Sequence, residues 1–181
     1  MYQIGEYVVK SNTGICRVGD ILSMAGFSRG KERLYYLLIP CADEKAKIYV
    51  PTDQQPATLR KVLDRDQAWA AIHRIPQIAP VRIENEKQRE ERYKEALRSS
   101  DPEQWVSIIK TMYLRKQKRS AQGKKSTAMD DHYFKLAEEY LYSELALAIG
   151  RDKSEMRDLI ADTVRKQEAD GEWMSERNVS Q

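Results

Sequence analysis

Residues 6–23 read EYVVKSNTGICRVGDILS, and this run decides how the first third of the chain folds. β-Branched and aromatic residues come in short groups, separated by SNTG, a cluster that favours reversal. The same alternation continues outward: GFSRGK interrupts, ERLYYLLIP resumes, ADEKA interrupts, and KIYVP closes the series. Four or five short antiparallel strands are expected, with turns at 12–14 and 26–30, where glycine or asparagine supplies permissive backbone. A flat sheet of such strands would leave one face uncovered, so a small barrel or strongly curled sheet is expected. Pro51 and Pro56 end the strand text.

Beyond residue 64 the apolar spacing changes from two to between three and four, the period of a helix. DRDQAWAAIHRI takes Asp64 as its cap and places Ala68, Trp69, Ile72 and Ile75 on one side. PQIAPVRIEN, residues 76–85, has two prolines and no period, and is read as a connection. A helix over 87–98 follows. In SSDPEQW, Asp101 is the cap, Pro102 stands where a missing N–H costs nothing, and Gln104 can close a capping box. Trp105, Ile108, Ile109 and Met112 then share a face. TAMDDHYFKLAEEYLYSELALAIG presents Tyr133, Leu136, Ala137, Tyr140 and Ala148 as its buried stripe and stops at Gly150. A last helix carries Met156, Leu159, Ile160 and Val164 on its apolar side. The architecture is therefore α+β with two domains, a β unit over 1–62 and a helical unit over 63–170, with a polar tail over 171–181.

Charge is distributed unevenly along these parts. Residues 1–81 hold 11 cations against 8 acids, residues 82–125 hold 13 against 7, and residues 126–181 hold 7 against 13. The net charge of +3 thus conceals a basic middle of +6 and an acidic end of −6. Such asymmetry is informative about partners rather than about fold. The excess peaks in YLRKQKRSAQGKKS, residues 113–126, where six of fourteen residues are cations and none is acidic. Cations at a helix C-terminus favour the macrodipole, which accounts for two or three of them. The rest point to an anion, and a nucleic-acid backbone is the natural one.

Several functional classes lack their motifs. There is no phosphate-binding glycine loop, no H-E-x-x-H and no C-x-x-C. His132 follows Asp130 and Asp131, but consecutive helical residues diverge, so the carboxylates are read as caps rather than metal ligands. Neither an enzyme nor a metal or other cofactor is expected. Cys16 and Cys41 lie in strand-like text and are read as buried free thiols. No apolar run approaches a membrane span, and the start lacks the apolar run of a signal peptide. A cytoplasmic, nucleoid-associated location is the expectation.

The text YQIGEYVVK…GICRV with YYLLIP…KIYVP, followed by RYKEALRSSDPEQWVSIIKTMYLRKQKR and YLYSELALAIG, resembles the CarD family of bacterial transcription regulators. The first part is also similar to the polymerase-interaction domain of the transcription-repair coupling factor. The resemblance implies a Tudor-like N-terminal domain that docks on the β subunit of RNA polymerase. It also implies a helical domain that lies on promoter DNA near the upstream edge of the bubble and stabilises the open complex. The sequence carries no direct sign of a small-molecule ligand, and none is expected. KIYVP matches the polymerase-facing strand, giving Lys47, Ile48, Tyr49, Val50 and Pro51. Met24 matches a second contact, and Met24 and Tyr49 both stand where relatives carry basic residues. On the DNA side the resemblance marks Arg92 and Lys94, and the loop cations Lys124 and Lys125. The basic helix adds Arg115, Lys116, Lys118 and Arg119. The family's tryptophan wedge aligns with Arg89, or with Arg82 if the alignment is anchored on PVRIEN. Trp69 and Trp105 sit on apolar stripes and are read as core. A second reading keeps the fold but makes the chain a protein-interaction adaptor whose basic face serves solubility alone.

Overall fold

The structure is a computed structural model and describes residues 1–25, 32–53 and 59–179. Five strands, β1 (Tyr7–Lys10), β2 (Gly14–Ala25), β3 (Glu32–Pro40), β4 (Ile48–Pro51) and β5 (Leu59–Lys61), form one antiparallel sheet in the order β4-β3-β2-β1-β5. β1 and β2 turn through Asn12, with φ of 60°, and pair Lys10 with Gly14 and Tyr7 with Arg17. The expected turn at 26–30 lies outside the described residues. Between Val18 and Asp20 the register of β2 against β3 slips by one, a bulge that bends the ribbon. β5 lies beyond Pro56, the residue at which the sequence pattern ends the strands; three residues are too few to carry a period.

Among the described residues the sheet is not closed, and its two faces are covered differently. Val8, Cys16, Val18, Tyr36, Leu38, Val50 and Leu59 form a core on the concave side. Val9 and Ile15, on the opposite side, belong to the helical core with Trp105, Tyr140 and Leu145. The uncovered face that called for a barrel is therefore covered in part by helices. Cys16 is buried as expected; Cys41 is free and exposed, since it falls in the turn after β3.

Five helices follow: α1 (Arg65–Arg74), α2 (Arg89–Arg98), α3 (Pro102–Ala121), α4 (Ala128–Ile149) and α5 (Met156–Val179). Asp64 and Gln67 complete a reciprocal capping box on α1. At α3 the Asp101 carboxylate accepts from the Glu103 N–H, but its own N–H donates to Ser99 Oγ, so Gln104 closes no box. α4 is capped by Thr127, whose hydroxyl accepts from the Asp130 N–H, and not by the carboxylates that follow. It ends at Gly150, whose φ of 69° continues the chain without a Cβ penalty. Trp105, Ile108, Met112, Tyr133, Ala137 and Tyr140 are buried, while Leu136 and Ala148 are only partly so. The helical backbone of α5 continues through the polar residues after Asp170.

The two units meet along β2, β5 and α4. Gly14 has φ of 86°, and a Cβ placed on it would lie 2.8 Å from Tyr140 Cδ1. Both facts exclude a side chain there. Gly14→Ala is expected to lower stability by about 1–3 kcal/mol, through left-handed strain and overpacking together, read as a lower urea midpoint with unchanged slope.

Candidate nucleic-acid interface and sheet edge

The segment 76–86 does not hang between the units but lies along α3. Lys110 Nζ donates to the carbonyls of Pro76 and Ile78, Ser107 Oγ donates to that of Ala79, and the Val81 N–H donates to Thr111 Oγ1. Arg115 then reaches Glu86, with Nη1 to Oε1 at 2.8 Å. Segment and helix advance together, so Arg82 lies within about two turns of Lys116 and Lys118. Its side chain is 88% exposed and paired with Glu84 alone among the described residues.

Arg89 and Arg115 behave otherwise. Their side chains are 12% and 23% exposed, and both converge on Glu86 and on Asp130, a buried residue of the first turn of α4. The Arg115 hydrogen bond holds the Glu86 carboxyl below its ordinary range, with Arg89 adding to the effect. Burial pushes the neighbouring Tyr93 hydroxyl up to about 12. Two cations and two carboxylates neutralise one another here and staple α2, α3 and α4. Neither arginine is offered to a partner as the chain stands.

Of the remaining cations, Arg92 and Lys94 are exposed on α2 but paired along the helix with Glu95 and Glu90, each at 3.1 Å. Exposed pairs of this kind are worth little and exchange easily for a phosphate. Arg119 is half-buried and donates from Nε to the Lys125 carbonyl at 2.7 Å, which ties the 122–127 loop to the end of α3. Lys116, Lys118, Lys124 and Lys125 are exposed and form no ion pair among the described residues. Together with Arg82 they make one basic end. Asp130, Asp131 and His132 do not form a metal site, and no cluster of metal-ligating side chains occurs among the described residues.

In the β unit, β4 pairs with β3 alone and is an edge of the sheet among the described residues. Val50 and Ile48 turn toward the concave core beside Tyr36 and Leu38, and Tyr49 projects the other way, 47% exposed. Pro51 ends the strand, and Lys47 is exposed just before it. Met24, half-buried on β2, stands opposite Arg33 of β3. Arg33 is a residue that sequence reasoning misses. It holds Asp53 through two nitrogens and lies 6.0 Å from the Tyr35 ring centre. The position is silent in the sequence because its alignment with Met24 is created by the β2–β3 register.

Two family models match the chain, in this order: CarD-like/TRCF RID domain over residues 2–63 and CarD, C-terminal domain, over residues 77–161. The class that fold and matches define is a family of RNA polymerase-interacting transcription regulators, a non-enzymatic transcription factor family. The chain belongs to the CarD family. Comparison with curated proteins gives no match. No helix among the described residues is long and apolar enough to cross a membrane.

Proposed function

We propose that this chain bridges RNA polymerase and promoter DNA in the cytoplasm, docking on the β subunit through the β4 edge and touching DNA phosphates through its basic end. The observation that carries the reading is that, among the described residues, an open strand edge and exposed lysines without an ion pair occur on one connected body. An edge strand recruits a partner strand through backbone groups, and Tyr49 and Lys47 add side-chain selectivity. Arg33 supplies, from the neighbouring strand, a cation beside Met24.

On the DNA side Lys116, Lys118, Lys124, Lys125 and Arg82 are the principal contacts, with Arg119 shaping the loop and Arg92 and Lys94 extending the face. Phosphate contacts position a protein without reading sequence. Tethering to polymerase makes a few of them sufficient. Of the two arginines aligned with the family's wedge, Arg82 is the one free to enter a narrow minor groove near the upstream edge of the bubble. An arginine anchors there by charge rather than by unstacking bases, and the open complex is stabilised accordingly.

Tyr49→Glu tests the docking half. It places a charge on the exposed edge, on a different unit from the basic end, and is expected to lower capture of the isolated β-subunit lobe at least about tenfold, with duplex affinity unchanged. Unchanged capture would remove β4 from the docking surface. A parent chain that captures no polymerase would favour an adaptor.

A further inference from the structure

The link from sheet to helices is short: β5 ends at Lys61 and α1 begins at Arg65. A tether of this length permits swivelling unless something prevents it. Val9 and Ile15, packed into the helical core, hold the units in contact, and a clamp built on Arg60 fixes the angle between them. Its Nη1 and Nη2 donate to Glu144 Oε1 and Oε2 at 2.5 and 2.7 Å, and its Nε donates to the Ser100 carbonyl at 2.6 Å. Its guanidinium also lies 5.6 Å from the Trp105 ring centre. Glu144, in the last third of α4, is 0% exposed and accepts a third bond from the Leu63 N–H at 3.0 Å. Beside the clamp the hydroxyls of Ser11 and Ser100 share a hydrogen bond at 3.0 Å across the same junction.

We infer that the Arg60–Glu144 clamp is a positioning device: it holds sheet and helices as one body, so that docking of β4 determines where the basic end falls on DNA. This rests on the bridging role proposed above. A buried ion pair seldom exceeds apolar residues of the same volume in stability, but two parallel bonds fix an orientation that apolar contact does not. The location of the pair suits that use. α4 runs from the clamp back to the basic 122–127 loop, a lever of about 25 Å from Glu144 to Thr127 at 1.5 Å per residue. A swivel of about 10° at the clamp would move the loop by about 4 Å, beyond the reach of a hydrogen bond to phosphate. Without the clamp the basic end still binds DNA, but tethering no longer delivers it to one place.

The test uses the full chain, unmodified and as Glu144→Gln, the latter also with Ser11→Cys and Ser100→Cys in a Cys41→Ser background. The 3.0 Å separation of the two hydroxyls places sulfurs there within reach of a disulfide. Arg60→Lys, which keeps the charge but loses the paired geometry, is measured alongside as an independent break of the clamp. Backbone 15N relaxation reports whether the halves tumble together. Affinity is measured for the β lobe, for duplex DNA, and for the polymerase–promoter complex. Both clamp variants are expected to give the halves separate tumbling times. They should keep each binary affinity within about twofold and lose about tenfold on the promoter complex. The oxidised cross-link should restore that loss and its reduction should abolish the rescue. Common tumbling in both variants, separate tumbling without loss on the promoter complex, or a cross-link that restores tumbling but not affinity would each overturn the inference. A parent chain that binds neither polymerase nor DNA would refute the bridging role instead, while the relaxation data would still decide whether the clamp makes one body.

Discussion

Glu144→Ala is expected to lower unfolding stability by about 3 kcal/mol, a fall of roughly 6–12 °C in Tm for a chain of this size. Glu144 is fully buried and its carboxylate takes three N–H donors. Truncation leaves the Arg60 guanidinium and the Leu63 N–H without their acceptor inside the junction. Breaking a buried pair from one side typically costs about 3–5 kcal/mol; the lower end applies because the Arg60 side chain is 29% exposed and can recruit water. The paired replacement Arg60→Met with Glu144→Met should recover most of the loss, since neither charge is then stranded. Thermal or urea unfolding of the four corners of this cycle gives the coupling directly. A single-variant loss below about 1 kcal/mol would mean that the pair is in effect a surface salt bridge.

Glu144 also shows where sequence reading reaches its limit. Within YLYSELALAIG it falls four residues after Tyr140, on the apolar stripe, and a lone carboxylate at such a position is a legible anomaly. Its partner is not legible, because Arg60 lies 84 residues earlier in a strand of three residues. Caps and stops are readable because their bonds span two or three residues: Asp64 with Gln67, Asp101 with Glu103, Gly150 after α4. The β unit is readable from alternation alone, whereas covering of its second face by α4 depends on packing among Ile15, Tyr140 and Leu145.

The basic set divides on the same principle. Counting cations locates the basic end but does not separate those that face water from those that face carboxylates. The Arg89–Glu86 pair is local and within reach of sequence reasoning; Asp130, 41 residues after Arg89, is not. Sequence alone makes Asp130 a cap, a role that Thr127 takes. The result is a basic end with fewer free members than its composition suggests, and with Arg82 brought to it by hydrogen bonds along α3.

Lys118→Glu, Lys124→Glu and Lys125→Glu, combined, should therefore lower duplex affinity by at least about two orders of magnitude at 0.1 M salt and reduce the log–log salt slope by about 2.7, or about 0.9 for each phosphate no longer neutralised. All three side chains are exposed and form no ion pair among the described residues, so stability should stay within about 0.5 kcal/mol of the parent chain. Arg115→Ala is the contrasting case. It removes a cation that compensates Asp130 and Glu86, so it should act on stability before it acts on DNA. For the lysine variant, loss should be the same for unrelated duplexes, because phosphates are present in all of them. A loss confined to one sequence would indicate base contacts, and an unchanged slope would show that these lysines face water alone. Polymerase capture by the triple variant should match that of the parent chain, since β4 and the 122–127 loop lie on different units.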